Sequence, residues 1–491
     1  MEKEYVLGMD SGTTYVKILA VDKKGKVVGE GSEAHEPFTI PKPEWAEQNS
    51  EDWWNKFCKV CKKATVDLPK DKIAALGITT QRGTMVCLDE KGNVLGRAVL
   101  WIDRRIYEDP EDKGNRFVWT KRHEPEIYKK TYKFMGVQAW FVHRLTGEWK
   151  DSYAACSPGF GQQNFVTFEW DKKQFEKIGI PVEMMVDIYP PGEVLGHVTK
   201  KAAEETGLPE GLPVVGGAGD KQSGTLGAGC VEPGMLMVSY GTALTVGTTS
   251  YTFPKKVPPY PMPSGIAGAW NPECGISGGF WMVTWFRDQF SQKEVELAKG
   301  RGVSPEKVMD EEADKTPVGS LGLMVQPYWW GGWGACPPDP FIRGAAIGWR
   351  GTHTRAHYYR AILEGCAYGA RGIREILEDA LEVKYKDSRV VAGGSNSDLV
   401  LQITADILGI PAHRTNTPAA EALGAAIDAA KGGGLYKSVK EAAENMVHIT
   451  KTFTPIPKNV ELYDRLYKEV YLKVYESNKE MYKKTMEILG G

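Results

Sequence analysis

The sequence has little net charge and no long apolar run, and each shortage excludes a class of protein. Lys and Arg total 61 against 63 for Asp and Glu, a formal net charge of −2 over 491 residues. A balance this close to neutral gives no reason to expect nucleic acid or an anionic membrane surface as a partner. No apolar stretch approaches the ~20 residues that a membrane-spanning helix needs. With 42% hydrophobic and 25% charged residues, disorder, collagen-like repeats and coiled coil are excluded as the main architecture.

Cysteines are few and scattered, which predicts a reduced, cytoplasmic protein. There are 8 of them. The N-terminal segment MEKEYVLGMDSG is charged within its first four residues and has no apolar targeting core. One C-x-x-C pair, Cys58 and Cys61, lies inside a helical pattern without a second Cys/His pair nearby. Two helix cysteines are therefore expected rather than a zinc or redox motif.

Several sequence motifs of enzymes are missing or incomplete. No G-x-x-x-x-G-K-[ST] occurs, so this is not a Walker-type kinase, and no G-x-G-x-x-G or H-E-x-x-H is complete. His353 and His357 are spaced i, i+4 without an evident third ligand, which favours surface histidines at a helix start. Residues 275–279 match the G-x-S-x-G of serine hydrolases, but WNPEC before them is a poor strand. Hydrolysis at Ser277 is therefore a disfavoured alternative.

Strand-like and helix-like segments alternate along the chain, which predicts an α/β fold. Residues 50–68 carry a helical apolar stripe, with Ser50 as the candidate N-cap. The hairpins at 5–22 and 235–249 share one order, an apolar strand, a Gly-Thr turn and a second apolar strand. This similarity suggests two related α/β domains.

The domain boundary is predicted in the proline-rich stretch 250–265. It gives an N-terminal domain of 1–249 and a C-terminal domain of 250–491. In the tail, residues 461–489, a Leu/Val row runs beside a Tyr row at spacing four. The two rows predict one wide helix face that packs against the body, with a homodimer contact as the alternative.

The first constellation with chemistry is Asp10-Ser-Gly12-Thr13-Thr14-x-x-Lys17. An acid ends one strand, a glycine permits a tight turn, and a lysine follows in the next strand. Successive N–H groups in such a turn form an anion-binding nest, and a carboxylate beside it can hold Mg²⁺. The alternative is a plain hairpin turn, in which Asp, Ser and Gly are common.

A second constellation is Gly216-Gly-Ala-Gly-Asp220-Lys-Gln222. Glycines before an acid imply close backbone approach, and Asp220 could accept a proton from a substrate hydroxyl. The alternative is an acidic N-cap for the following helix, and both roles are compatible. Two further glycine turns, at 239–243 and 393–398, suit phosphates or the flat face of a nucleotide.

Together and in this order, these turns resemble the FGGY family of carbohydrate kinases over essentially the whole chain. The similar blocks include DSGTTYVK, PEWAEQNSEDWW, GGAGDKQSGTLGAG, SYGTA and GGSNSDLVLQITADILGIP. The resemblance implies two ribonuclease-H-like (actin-like ATPase) domains with a central cleft. It implies a sugar bound mainly by 1–249, and ATP with Mg²⁺ bound mainly by 250–491.

The resemblance also implies roles for individual residues. Asp220 and Asp10 would be catalytic, Asp220 as general base, and both would be ligands of Mg²⁺. Contacts to phosphate or nucleotide are implied at Gly12, Thr13, Thr14, Lys17, Gly241, Thr242, Gly393, Gly394 and Asn396. Substrate contacts are implied at Arg82, Trp101, Asp103 and Gln222.

The chain departs from the family pattern at Gly83. Glycerol kinases carry Gln-Arg-Glu-Thr where this chain has Gln81-Arg82-Gly83-Thr84, and the lost carboxylate argues against glycerol. Xylulokinases usually carry Met-His there, which does not match either. The expected activity is ATP-dependent phosphorylation of a small sugar or polyol, with a ketopentose such as xylulose first. Another ketose, a tetritol, glycerol and a non-catalytic actin-like ATP-binding protein are the alternatives. The aromatic segment 326–340 would line the cleft mouth or pack as a surface loop.

Overall fold

The chain folds into two compact units, each assembled from separate stretches of sequence. The computed structural model describes residues 2–155, 161–256, 258–333 and 339–489. Unit 1 comprises Met1–Val231, Met262–Asn271 and Ala419–Val447, and unit 2 comprises Glu232–Pro261, Pro272–Pro418 and His448–Gly491. The division into a sugar-binding 1–249 and a nucleotide-binding 250–491 stays a prediction.

Strands and helices alternate as predicted for an α/β fold. The strands are β1 (Tyr5–Ser11), β2 (Tyr15–Asp22), β3 (Val27–Ala34), β4 (Glu47–Gln48), β5 (Ile73–Thr80), β6 (Val86–Leu88), β7 (Ala98–Val99), β8 (Lys133–Met135), β9 (Lys150–Ser152), β10 (Gln163–Asn164), β11 (Glu169–Trp170), β12 (Asp187–Tyr189), β13 (Val194–His197), β14 (Pro213–Gly219), β15 (Met235–Tyr240), β16 (Leu244–Gly247), β17 (Tyr260–Pro263), β18 (Trp270–Ile276), β19 (Met324–Gln326), β20 (Gly332–Trp333), β21 (Ala345–Ile347), β22 (Asp387–Val391), β23 (Ala412–Thr415) and β24 (Ile449–Phe453). The helices are α1 (Ser50–Ala64), α2 (Arg116–His123), α3 (Pro125–Lys130), α4 (Val137–Thr146), α5 (Lys172–Ile178), α6 (Lys200–Thr206), α7 (Asp220–Gly227), α8 (Trp281–Phe290), α9 (Gln292–Arg301), α10 (Pro305–Ala313), α11 (Arg355–Leu381), α12 (Asp398–Leu408), α13 (Ala420–Gly432), α14 (Val439–Met446), α15 (Pro457–Leu466) and α16 (Leu472–Leu489).

The main sheet of unit 1 has the strand order β13-β14-β5-β1-β2-β3. The first hairpin is antiparallel, whereas β1, β5 and β14 run parallel. The carboxyl ends of parallel strands meet at one edge of a sheet, where α/β proteins bind ligands. Asp10 lies opposite Thr79, and Gly219 lies opposite Thr80. This register brings Asp10 and Asp220, which follows Gly219, to the same edge.

The main sheet of unit 2 repeats this arrangement. Its order is β17-β18-β16-β15-β22-β23-β24, and β20 pairs with β18. The hairpin of β15 and β16 is antiparallel, and the parallel strands β22 and β23 continue on the other side of β15. In both sheets, therefore, an antiparallel hairpin is continued on one side by two parallel strands, which confirms the prediction of two related α/β folds. The stretch 270–274 belongs to β18, so the expectation of a poor strand there was wrong.

Helix α1 confirms the predicted helical stripe, but its cap differs from the prediction. Trp54, Phe57 and Cys61 are buried on one face of this helix, so the C-x-x-C pair is helical. Ser50 is the first helical residue, and the Oδ1 atom of Asn49 accepts a hydrogen bond from the Glu51 N–H instead. Both side chains suit an N-cap, and the pattern does not separate neighbouring candidates.

Helix α13 packs against the sheet of unit 1 with almost no side chain between the two backbones. A Cβ atom added at Gly8 would lie 1.9 Å from the Ala422 carbonyl oxygen. The same distance separates a Cβ at Gly77 from the Ala425 oxygen. Only glycine permits such an approach.

The C-terminal tail packs against unit 2 through its tyrosines. Tyr463, Tyr467 and Tyr471 are buried, and the Tyr463 hydroxyl donates to Glu364 Oε1 at 2.7 Å. Leu462 and Val470 are 40% and 39% exposed, so the Leu/Val row does not form a single buried face with the tyrosines. A π-helical turn over Tyr467–Tyr471 interrupts the regular helix within this tail.

Three further predictions concern a membrane span, the aromatic segment and the two histidines. No helix in the described ranges is long and apolar enough to cross a membrane. In the aromatic segment, Trp330 is exposed and its ring lies 4.2 Å from that of Trp281. Residues 334–338 of this segment lie outside the described residues.

His353 and His357 lie at the start of α11. His357 Nδ1 accepts a hydrogen bond from the Thr354 N–H, as expected of surface histidines at a helix start.

Replacing Gly8 by Ala should prevent helix α13 from docking. The added methyl group would overlap backbone atoms that have no rotamer to change, so we expect Gly8→Ala to lose about 3 kcal/mol or more of unfolding free energy. Gly300→Ala is the matched control, because nothing lies within 4 Å of a Cβ there and the residue is in helix α9. The control should change stability by about 1 kcal/mol or less. Equal denaturation midpoints for both variants would contradict the close packing.

Candidate active site

The first phosphate-type turn joins β1 to β2 and is open on its outer side. The Gly12 N–H donates to the Tyr15 carbonyl at 3.0 Å, which closes the turn. A Cβ at Gly12 would meet only that oxygen, at 3.8 Å. Asp10 and Lys17 lie opposite each other in the hairpin register. The predicted acid, glycine and lysine are therefore brought together at one end of the hairpin.

Asp220 opens helix α7 directly after strand β14. Its Oδ1 accepts a hydrogen bond from the Lys221 N–H at 2.9 Å and lies 3.4 Å from Arg82 Nε. Its Oδ2 lies 3.3 Å from Lys221 Nζ. Burial alone would raise the pKa of Asp220, but the charges of Lys221 and Arg82 lower it below the ordinary value. Asp220 is therefore held as a carboxylate, the form that a general base requires.

The pKa of Asp10 is shifted in the direction opposite to that of Asp220. Burial, followed by the negative charges of Glu421 and Asp220, raises the pKa of Asp10. Its Oδ1 is buried and has no hydrogen-bond partner within the described ranges. A buried carboxylate oxygen without a donor among the described residues is the kind of ligand that a divalent cation takes. Asp10 could therefore hold Mg²⁺, whereas Asp220, whose oxygens face Arg82 and Lys221, stays a predicted second ligand.

Glu421 and Lys221 are members of this cluster that the sequence patterns did not single out. Glu421 lies in the first turn of α13, and its Oε1 is 3.8 Å from Lys221 Nζ. The only signal in the sequence is the position of each residue within a block, DKQSG or EALGAA, that resembles the family. Their proximity depends on the packing of α13, which no local pattern reveals.

Two of the predicted substrate residues lie close to the site. Arg82 is next to Asp220, and Trp101 is next to the turn that contains Thr13. Trp101 is 51% exposed, and its Nε1 donates to Thr13 Oγ1 at 3.0 Å. Thr13 Oγ1 in turn donates to Gln81 Oε1 at 2.9 Å. This chain of hydrogen bonds connects an open aromatic face to the phosphate turn, and Gln81 is a member that the sequence prediction lacked.

The other two predicted substrate residues are buried. Asp103 is 2% exposed and accepts hydrogen bonds from the Ala46 N–H at 2.6 Å and from Arg105 Nη2 at 2.9 Å. Gln222 is 1% exposed, and its Nε2 donates to the Ala154 carbonyl at 3.3 Å. These contacts fix the surrounding backbone, and a direct substrate contact by either residue stays a prediction.

The segments that carry Gly83 and Trp101 are held together by one buried guanidinium. Arg116 donates to the Gly83 carbonyl through Nη1 and to the Leu100 carbonyl through Nη2, the latter at 2.7 Å. Gly83 itself has φ +69°, the left-handed region that favours glycine. The departure from the family pattern thus lies beside Arg82, at a backbone position that glycine adopts without strain and that a larger residue would adopt at a cost.

The two predicted turns of unit 2 are adjacent to each other. Gly241 and Thr242 connect β15 to β16, and Gly393–Asn396 form a 3-10 turn before α12. A Cβ at Gly241 would lie 3.8 Å from that of Ala392, whereas one at Gly394 would lie 2.4 Å from the Tyr240 Cβ. The exposed Asn396 and Gly393 face solvent. All five predicted nucleotide residues of unit 2 therefore lie on neighbouring turns.

Comparison with known proteins identifies the class of protein that this fold and site define. The models of the N-terminal domain of the FGGY family of carbohydrate kinases match residues 5–115 and 109–227, and that of the C-terminal domain matches 236–432. The chain belongs to this family and is a carbohydrate kinase. ATP is the phosphate donor of FGGY kinases. Family membership sets aside the serine hydrolase and the non-catalytic switch.

Individual relatives agree with this assignment. The chain is 32% identical to an uncharacterized sugar kinase, YgcE, of Escherichia coli K12, over 100% of this chain and 97% of that protein. It is 28% identical to a xylulose kinase of Staphylococcus epidermidis, over 98% of each. It is 30% identical to glycerol kinase 2 of Thermotoga maritima, over 94% of this chain and 97% of that protein.

Solved structures confirm the predicted fold of two ribonuclease-H-like, actin-like domains. The crystal structure of xylulose kinase from Rhodospirillum rubrum superposes with a TM-score of 0.82 at 27% identity. The match covers 98% of this chain and 100% of that chain.

Replacing Asp10 by Asn should separate stability from activity. The buried Asp10 carboxylate faces the negative charges of Glu421 and Asp220, and a neutral amide removes this repulsion. The melting temperature of the metal-free protein at pH 8 should therefore rise, by about 2–4 °C for each kcal/mol of unfolding free energy that is regained. Kinase activity should fall by about 10²-fold or more, because an electrostatic contact of the site is lost. Calorimetry and a coupled ADP assay measure the two effects. A lower melting temperature with full activity would contradict the assigned environment of Asp10.

Proposed function

We propose that this carbohydrate kinase transfers the γ-phosphate of ATP to a hydroxyl of a small sugar or polyol, with a ketopentose such as xylulose as the favoured substrate. The observation that carries the proposal is the Asp220 carboxylate, held ionised between Arg82 and Lys221 beside Asp10. Residues 1–249 bind mainly the sugar, and residues 250–491 bind mainly the nucleotide. A cytoplasmic location and a homodimer stay predictions of the sequence.

Asp220 is the general base in this proposal. As the substrate oxygen attacks the γ-phosphorus in line, the O–H proton passes to the Asp220 carboxylate and the bond from phosphorus to the ADP oxygen breaks. The amides of residues 12–14 and the Lys17 ammonium stabilise the charge on the transferred group. Asp10 and Asp220 would hold Mg²⁺, which neutralises phosphate charge when bound.

The nucleotide is assigned to the turns of unit 2. Gly241 and Thr242 contact its phosphates through open backbone, since the Cβ position at Gly241 is free to 3.7 Å. Gly393, Gly394 and Asn396 contact the nucleotide at the turn before α12. Gly394 is packed against Tyr240 so closely that no side chain fits, which keeps this turn flat.

The choice of a ketopentose rests on three observations. The relatives that match over nearly the whole chain include xylulose kinases. The solved structure from Rhodospirillum rubrum that superposes with this chain is also that of a xylulose kinase. Glycerol kinases bind a polyol hydroxyl with a carboxylate at the position of Gly83, and this chain has no carboxylate there. Relatives named glycerol kinase nevertheless also match the chain. Trp101 offers an exposed aromatic face against which the carbon side of a sugar can pack. Another ketose, a tetritol and glycerol are the alternatives.

A substrate panel tests the choice of sugar. With Mg·ATP, we expect substrate-dependent ADP release with the highest kcat/KM on a ketopentose, followed by other ketoses, and the lowest on glycerol. The panel should contain xylulose, ribulose, fructose, erythritol and glycerol, and mass spectrometry should identify the phosphorylated product. A clear preference for glycerol would overturn the ketopentose assignment, and no response to any sugar would overturn the proposed reaction.

Asp220→Asn tests the base. The amide cannot accept the proton, so turnover should fall by about 10²–10⁴-fold, whereas the affinity for Mg·ADP, measured by calorimetry, should change little. The control is Asp71→Asn, which neutralises an exposed carboxylate of the same unit and should leave turnover unchanged. Near-wild-type turnover of Asp220→Asn would refute the assigned role.

A further inference from the structure

Lys221 is a cation placed among the carboxylates of the site. It follows Asp220 in the first turn of α7, and its Nζ lies 3.3 Å from Asp220 Oδ2 and 3.8 Å from Glu421 Oε1. Only 23% of its side chain is exposed. The two distances place the Lys221 ammonium between the carboxylates of Asp220 and Glu421.

Glu421 reaches this position because α13 packs tightly on α7. A Cβ at Gly227 would lie 1.9 Å from the Ala420 oxygen, and one at Gly424 would lie 2.0 Å from the Ser223 oxygen. A Cβ at Gly224 would lie 3.5 Å from Glu421 Oε1, so the carboxylate rests directly on the helix that carries Lys221. With 15% of its side chain exposed, Glu421 is enclosed by the same contact.

The Asp220 carboxylate is consequently fixed at both oxygens. Arg82 Nε and the Lys221 N–H lie on the Oδ1 side, and Lys221 Nζ lies on the Oδ2 side. A general base acts only within hydrogen-bond reach of the proton that it accepts. Because a misplacement of about 1 Å can cost roughly 10²-fold in rate, a group that stops the carboxylate from rotating contributes to turnover.

We propose that Lys221 is a positioning residue for the phosphoryl transfer, and that Glu421 holds Lys221 in place from helix α13. The proposal rests on the proposed role of Asp220 as base. Lys221 acts through Asp220 and needs no contact with the sugar or the nucleotide. Its loss therefore affects the turnover of bound substrate rather than substrate binding.

The test compares Lys221→Met, Lys221→Arg and Glu421→Gln. Lys221→Met should lower kcat by about 10–100-fold, with KM for the sugar and ATP within about threefold of wild type, because the carboxylate loses its partner at Oδ2. Lys221→Arg keeps a cation at this site and should recover most of the loss. Glu421→Gln should lower kcat by a smaller factor. The double variant Lys221→Met/Glu421→Gln should be no slower than Lys221→Met, since the two residues act in series.

A matched control and a second readout separate positioning from simple structural support. Lys431→Met breaks a 2.6 Å ion pair with Glu193 elsewhere on α13 and should leave kcat unchanged. The dissociation constant of Mg·ADP, measured by calorimetry, should be equal in wild type and in Lys221→Met. If Lys221→Met does not fold, the comparison of Lys221→Arg with Glu421→Gln decides, because Glu421→Gln should be slower than Lys221→Arg; equal kcat values for the two would overturn the proposal.

The results distinguish this inference from the proposed function. An inactive Asp220→Asn with Lys221→Met at wild-type kcat would overturn the role of Lys221 alone. An active Asp220→Asn would overturn the role of Asp220 and, with it, this inference. A kcat loss in Lys431→Met equal to that in Lys221→Met, or single-variant effects that multiply in the double variant, would also overturn it.

Discussion

The contact on which the site depends is the close approach of the α13 backbone to the sheet and to α7. Gly8 and Gly77 on the strands, and Gly227 on α7, leave no space for a side chain against the carbonyl oxygens of α13. Backbone packed on backbone permits little sliding, because there are no side-chain rotamers to absorb a shift. The contact therefore fixes the position of the first turn of α13, and with it Glu421, relative to strand β1 and helix α7. Residues about two hundred positions apart in the chain become neighbours in one cluster of charges.

That cluster explains how a nearly neutral protein can handle an anionic ligand. Asp10, Asp220 and Glu421 lie among Lys221 and Arg82. Burial and the negative charges of Glu421 and Asp220 raise the pKa of Asp10, whereas the charges of Lys221 and Arg82 lower that of Asp220 against the effect of burial. Asp220 stays ionised because two cations flank it, whereas Asp10 carries the unfavourable repulsion and an oxygen without a donor. One carboxylate is thus prepared to accept a proton, and the other is prepared for a cation. The formal net charge of −2 does not reveal this local arrangement of charges.

The sequence predicted features that depend on local patterns. The hairpins at 5–22 and 235–249, the strand leading to Asp220 and the glycine turns of both units follow from apolar alternation and glycine spacing. Features set by distant contacts were missed or wrong. Glu421 and Lys221 required the packing of α13, and Gln81 required the hydrogen bond from Thr13. The spacing of four in the tail did not reveal that Leu462 is exposed beside the buried Tyr463. Asp103 carries a substrate role by resemblance, but the structure engages it with Arg105 because a buried guanidinium needs a carboxylate.

In the proposed reaction, Asp220 faces the hydroxyl that receives the phosphate. A crystal structure with Mg²⁺, a non-hydrolysable ATP analogue and a ketopentose would show whether it does. We expect one sugar hydroxyl oxygen at about 2.6–3.2 Å from an Asp220 carboxylate oxygen, with the γ-phosphate on the turn of residues 12–14. A sugar bound with no hydroxyl near Asp220, or a γ-phosphate held away from that turn, would contradict it.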